Sequence, residues 1–174
     1  MSATEQKILV IGYGNPGRLD DGLGPALAEA IASRSIPGVS VDANYQLTIE
    51  DAADISEHAA VVFADAAISG PEPFFFEEVE AKSELGFSSH HMEPAAVLGL
   101  ARDMFGASTR GFALGIRGYE FDEFGERLSA PARANLDEAI SFLSGTLERG
   151  AVSALAEAAE TTKDRMDPVD RRVT

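Results

Sequence analysis

Three short stretches hold residue types that could do chemistry together. The first, Gly12-Tyr13-Gly14-Asn15-Pro16-Gly17-Arg18-Leu19-Asp20-Asp21-Gly22, follows an apolar run. The second, Asp65-Ala66-Ala67-Ile68-Ser69-Gly70, follows another, and the third, Phe87-Ser88-Ser89-His90-His91, precedes a helical pattern. Asp21, Asp65 and His90 would offer two carboxylates and one imidazole. That is an open, incomplete shell for a divalent transition metal, unlike the closed four-ligand set of a structural zinc site. Asp20 beside Asp21 and His91 beside His90 are secondary candidates for the same roles.

Other readings of these residues stand beside that one. Gly12, Gly14 and Gly17 spell G-x-G-x-x-G after a strand, the pattern of a dinucleotide site. Against it, Arg18 to Asp21 delay the helix that should receive the pyrophosphate, and two carboxylates would face the phosphates. Asp42 also lies further on than a ribose-binding acid should. Asp20 or Asp21 could cap a helix and complement its dipole, and Asp65 could be a turn residue. His90 and His91 could be a solvated pair, with Ser88 or Ser89 as an N-cap. A Ser–His nucleophile lacks the G-x-S-x-G elbow. Asp20 and Asp21 as neighbours in a loop do not face one another as a proton-sharing dyad does. His58 reads as a helix C-terminal residue.

The elements that must position these residues are legible in the pattern. Lys7 to Ile11 and Ala60 to Ala64 are short apolar runs suited to buried strands, and Val39 to Val41 and Phe112 to Ile116 read as further short strands. Phe74 to Glu80 has the half-solvated look of a sheet edge. Leu23 to Ile31 is helical with Pro25 in its first turn. Thr48 to about His58 opens with Thr48 as cap and Asp51 in capping-box position. Glu93 to Phe105 has Pro94 in its first turn and Gly106 as its stop, and Pro131 to Leu147 follows Ser129 as N-cap. Strands alternating with helices predict a three-layer α/β/α fold with a mostly parallel, five-stranded twisted sheet and helices on both faces. In such sheets ligands bind at the carboxyl ends of the strands, where the loops carrying Asp21 and Asp65 emerge. Gly12 and Gly14 are expected to allow backbone conformations barred to other residues, so that Asn15 and Gly22 complete a loop carrying Asp21 inward.

The whole composition narrows the function. The 174 residues suit one domain, read as residues 1–150, with 151–174 as a partly helical or disordered tail. There are 14 Lys and Arg against 29 Asp and Glu, a net charge of −15 that argues against nucleic acid or membrane surfaces as partners. Cysteine is absent, which removes disulfides, thiolate metal sites and thiol nucleophiles. No run approaches the roughly 20 apolar residues of a membrane span, and Met1 to Gln6 lacks a signal-peptide layout. A cytoplasmic protein is expected.

Val10-Ile11-Gly12-Tyr13-Gly14-Asn15-Pro16 with Asp20-Asp21-Gly22-Leu23-Gly24-Pro25 resembles the opening signature of the hydrogenase maturation endopeptidases, which process the large subunit of NiFe hydrogenases. Phe63-Ala64-Asp65-Ala66 resembles their second motif, and Ser88-Ser89-His90-His91-Met92 their third. Leu114-Gly115-Ile116, Gly125, Leu128 and Ser129 match weaker features, and the resemblance covers about residues 7 to 147. It implies removal of a C-terminal extension from the large-subunit precursor after nickel insertion, with Asp21, Asp65 and His90 as metal-contacting and catalytic residues. The nickel would be carried by the substrate, or another divalent ion would occupy the site. Two departures stand out. Ala67 replaces an acid found two residues after the second-motif Asp in many relatives, and Tyr45 to Glu50 replaces a Gly- and Pro-containing loop. The remaining alternatives are a nickel-sensing assembly chaperone without proteolysis and a dinucleotide-binding module.

Overall fold

The computed structural model describes residues 6–83 and 92–170, the stretch 165–170 by its backbone alone. The third candidate stretch, with Ser88, Ser89, His90 and His91, lies outside the described residues.

Among the described residues five strands form one sheet: β1 (Ile8–Tyr13), β2 (Val39–Asn44), β3 (Ala60–Ala67), β4 (Phe74–Val79) and β5 (Arg110–Arg117). Their order is β2-β1-β3-β5-β4, parallel throughout except for β4, which runs antiparallel at one edge. The helices are α1 (Leu23–Ala32), α2 (Asp51–Ser56), α3 (Pro94–Phe105), α4 (Ala130–Glu148) and α5 (Val152–Asp170). The expected three-layer α/β/α architecture is therefore present. Alternation along β1 and β3 splits the core in two. Ile8, Val10, Val62 and Ala64 pack with α1, α4 and α5, whereas Leu9, Ile11, Val61 and Phe63 pack with α2 and α3.

Several local expectations hold for identifiable reasons. Pro94 sits at the start of α3, and Gly106 ends that helix in the left-handed region at φ 65°. Ser129 caps α4, its Oγ accepting from the Ala132 N–H. At α2 only the reciprocal half of the capping box forms: the Asp51 carboxylate accepts from the Thr48 N–H at 2.8 Å, and the helix itself starts at Asp51. His58 follows α2, with Nδ1 2.7 Å from the Asp54 carbonyl oxygen.

Two expectations need correction. Asp65 does not follow its strand. β3 runs on to Ala67 because β5 pairs with it as far as Arg117, placing Asp65 opposite Gly115. The segment after residue 150 is not a tail outside the core either. α5 buries Val152, Ala154, Leu155 and Ala159, three of which join the α1/α4 cluster. Thr162 Oγ1 donates to the Phe76 carbonyl of edge strand β4 at 2.8 Å. The Ala/Glu-rich composition concealed a narrow apolar stripe at positions 152, 155 and 159, spaced for one helix face.

Deleting 151–174 should accordingly lower the unfolding free energy by about 3–6 kcal/mol, the scale of exposing two large side chains and the apolar wall they cover. Urea unfolding of both chains measures it. An unchanged midpoint would mean that α5 is not part of the cooperative core.

Candidate functional site

The first loop is built by packing and hydrogen bonds before any chemistry enters. Gly12 lies so close to α1 that a Cβ there would collide with the Gly24 carbonyl and come within 2.7 Å of the Ala28 Cβ. Its role is close approach of strand to helix, not the left-handed backbone expected from sequence. Gly14 does adopt a positive φ of 139°, and a Cβ there would strike the Asp21 carbonyl. Asn15 makes an Asx turn, its Oδ1 accepting from the Gly17 N–H at 2.8 Å. Gly22 closes a short 3-10 turn, Leu19–Gly22, from which α1 starts.

Two adjacent acids leave this loop in opposite roles. Asp20 is fully buried, and its carboxylate accepts four hydrogen bonds. Oδ2 receives the Tyr119 N–H at 2.8 Å, the Glu120 N–H at 2.9 Å and Ser129 Oγ at 2.7 Å, while Oδ1 receives the Ser129 N–H at 2.8 Å. Burial alone would raise its pKa, but the donors from Ser129, Glu120 and Tyr119 outweigh it and hold the carboxyl below the usual range. The backbone adds three more ties: Asp20 N–H to the Glu120 carbonyl, Leu19 N–H to the Gly125 carbonyl, and Gly125 N–H to the Gly17 carbonyl. Leu19 is held at φ 52°, a conformation that costs a non-glycine residue about 1–2 kcal/mol. Asp20 is thus the clamp between the first loop and residues 119–129.

Asp21 is half-buried, and its Oδ2 accepts from the Asn15 N–H at 2.8 Å. The N–H groups that a nucleotide phosphate would need, those of Asn15 and Gly17, are therefore taken by Asp21 and Asn15 side chains. That removes the physical basis of the dinucleotide reading, which also needs a helix starting at the third glycine.

Asp65 comes to the same edge from β3. It accepts from the Ala66 N–H at 2.8 Å, yet its pKa is raised to about 6, chiefly by burial and further by the charge of Asp21. Alternation places it on the α2/α3 face of the sheet with Tyr13. The Tyr13 hydroxyl is itself pushed up by burial and by the charges of Asp65 and Glu93. In the same row, the absent side chain of Gly115 makes room for the ring of Phe75, which would meet any Cβ there. Tyr13, Glu93 and Phe75 are site neighbours that sequence reasoning missed. The available signal was strand parity: Tyr13 lies two residues beyond Ile11 and so faces the same side.

The structure thus brings Asp21 and Asp65 together and assigns Asp20 to the scaffold. His90 and His91 lie outside the described residues, two and one positions before Met92, which packs against the α2/α3 cluster. Among the described residues no group of three or more His, Asp or Glu is placed to hold a metal ion. The described donors are two carboxylates, one of them destabilised by the other's charge, a set that a divalent cation would relieve. No described helix is long and apolar enough to cross a membrane.

No family model matches the chain, and no curated protein sequence matches it. Solved structures do. The hydrogenase maturation protease HycI from Thermococcus kodakarensis KOD1 aligns with a TM-score of 0.62 at 21% identity, covering 82% of this chain and 93% of that one. The hydrogenase 2 maturation peptidase from Thaumarchaeota archaeon SCGC_AB-539-E09 aligns with a TM-score of 0.60 at 22% identity, covering 81% and 97%. The hydrogenase maturating endopeptidase HybD from E. coli aligns with a TM-score of 0.62 at 19% identity, covering 82% and 93%. The chain has the fold of the hydrogenase maturation proteases.

The clamp yields a stability prediction. In Asp20→Asn one oxygen becomes an amide that turns N–H groups toward backbone donors. Loss of about 2–4 kcal/mol at pH 7 is expected for a buried, multiply bonded carboxylate. Urea denaturation should show it, and a loss below about 0.5 kcal/mol, the range of an ordinary surface change, would mean the clamp is not structural.

Proposed function

We propose that this chain is an endopeptidase that removes the C-terminal extension from the large-subunit precursor of a NiFe hydrogenase once nickel has been inserted. The observation that carries the reading is the Asp21–Asp65 pair: two carboxylates, one from the loop after β1 and one from within the last residues of β3, coupled through their charge at the carboxyl edge of the sheet. The sequence motifs around them and the fold shared with maturation proteases give the pair its context.

In this reading Asp21, Asp65 and His90 contact nickel that the substrate already holds, and the ion supplies Lewis acidity beside the scissile bond. The chain's own residues do the rest. Asp20 fixes the loop so that Asp21 points from a rigid support. Asp65, desolvated and facing the like charge of Asp21, is a carboxylate whose ionised form a cation would stabilise. The absence of cysteine leaves no thiolate to compete with the substrate for its metal. Of the secondary candidates, Asp20 has both oxygens engaged and is not assigned to the metal, and His91 is placed after His90.

Incubating the protein with nickel-loaded and nickel-free precursor, and weighing the products by mass spectrometry, tests the reading. Cleavage of the nickel-loaded form alone is expected. Asp21→Asn, Asp65→Asn and His90→Ala should each slow it by about a hundredfold or more, the scale of losing a group that acts in the transition state, and His91→Ala should leave the rate within a few-fold. Binding without cleavage would indicate an assembly chaperone instead. Equal cleavage of nickel-free precursor would remove the metal-sensing part.

A further inference from the structure

The loop joining β5 to α4 carries a feature that the site chemistry does not use. Phe124 is 88% exposed, the largest exposure among the described large apolar side chains, yet its loop is firmly held. Asp20 bonds the loop at Tyr119, Glu120 and Ser129, and Gly125 exchanges backbone hydrogen bonds with Gly17 and Leu19. The Arg18 guanidinium lies 5.9 Å from the Phe124 ring centroid, and its Nη2 reaches the Phe121 carbonyl at 3.5 Å. A loop tip that served only to connect two elements would carry polar residues and few anchors. This one presents a phenyl ring to water from a support with little freedom left to lose. A rigid exposed aromatic is what a binding anchor requires, because little entropy remains to be lost on docking.

Its surroundings define the partner's chemistry. Glu120, Asp122, Glu123 and Glu126 flank Phe124 and are all exposed, with Arg127 the one cation among residues 119–127. Two other exposed apolar residues leave the carboxyl ends of strands of the same sheet. Tyr45 follows β2 at 73% exposure and Ile68 follows β3 at 75%. The loop packs on the segment that carries Asp21, since Asp20 and Glu120 are hydrogen-bonded through their backbones.

We propose that the 119–127 loop is the substrate-docking element, with Phe124 entering an apolar socket on the precursor and Glu120, Asp122, Glu123 and Glu126 facing a basic rim around it. The proposal rests on the reading above for the identity of the partner. It assigns to the loop recognition of the folded precursor beside the site, apart from the chemistry of the bond that is cut. Opposite charges on the two surfaces speed encounter and exclude acidic surfaces. The buried ring supplies the lasting affinity.

Steady-state cleavage of the nickel-loaded precursor from the same genome tests it, with Phe124→Ala and the double variant Asp122→Lys/Glu123→Lys beside the wild type. All three positions are exposed, so folding is retained, and circular dichroism verifies it. Phe124→Ala should raise KM at least about tenfold while kcat stays within twofold, as for loss of a central aromatic anchor. The charge-reversed variant should raise KM and flatten its rise with salt. Wild-type cleavage with KM unchanged in both variants overturns the docking proposal and leaves the peptidase reading standing. A wild-type protein that neither binds nor cuts the precursor overturns both.

Discussion

The buried carboxylate of Asp20 is the constraint on which the rest of the site depends. It lies at the junction of the first loop with the segment after β5 and the start of α4, which follow it by 99 to 109 residues in sequence. An ionised carboxylate can be buried only if hydrogen bonds replace its water, and here four donors do so. Those donors are backbone N–H groups of a loop and the cap residue of a helix, which would otherwise lack partners themselves. Removing the acid therefore exposes a deficit on both sides.

The neighbouring acids show the opposite balance. Asp65 is desolvated without enough donors to compensate, and Asp21 adds a like charge. Two carboxylates within one short stretch of space thus differ in what the fold asks of them: one is stabilised by ionisation and the other is strained by it. Strained acids at the carboxyl edge of a parallel sheet mark the place where binding or catalysis is supported by the remainder of the molecule. Rigid support from Asp20 and the close contact of Gly12 with α1 make that strain sustainable.

Much of this was legible in the residues. Short apolar runs and one half-solvated edge gave the five strands, Pro25, Pro94 and Gly106 marked helix ends through their backbone chemistry, and Ser129 did so through its hydroxyl. The acids Asp21 and Asp65 stood out because each comes shortly after an apolar run. The division between Asp20 and Asp21 did not, since the partners that decide it, Tyr119, Glu120 and Ser129, lie far along the chain and contribute mainly backbone atoms, which no residue type announces. Tyr13 and Phe75 were hidden for a related reason: their relation to Asp65 comes from sheet order and register, not from local spacing. The core role of α5 was obscured by its polar composition. The surroundings of His90 lie outside the described residues.

Asp65 is held in its place against the stability of the fold. Its pKa is raised from 3.8 to about 6, so folding favours the protonated acid: that contribution is full below pH 3.8 and is lost as the pH rises through 6. The direct measurement is the unfolding free energy of wild type and Asp65→Asn between pH 3.5 and pH 7.5, with the amide keeping the Ala66 N–H bond. The two should be equally stable below about pH 4, and above pH 6 the variant should be the more stable by about 1–3 kcal/mol. A variant that is no more stable than wild type at pH 7, with a gap that does not change with pH, would contradict it.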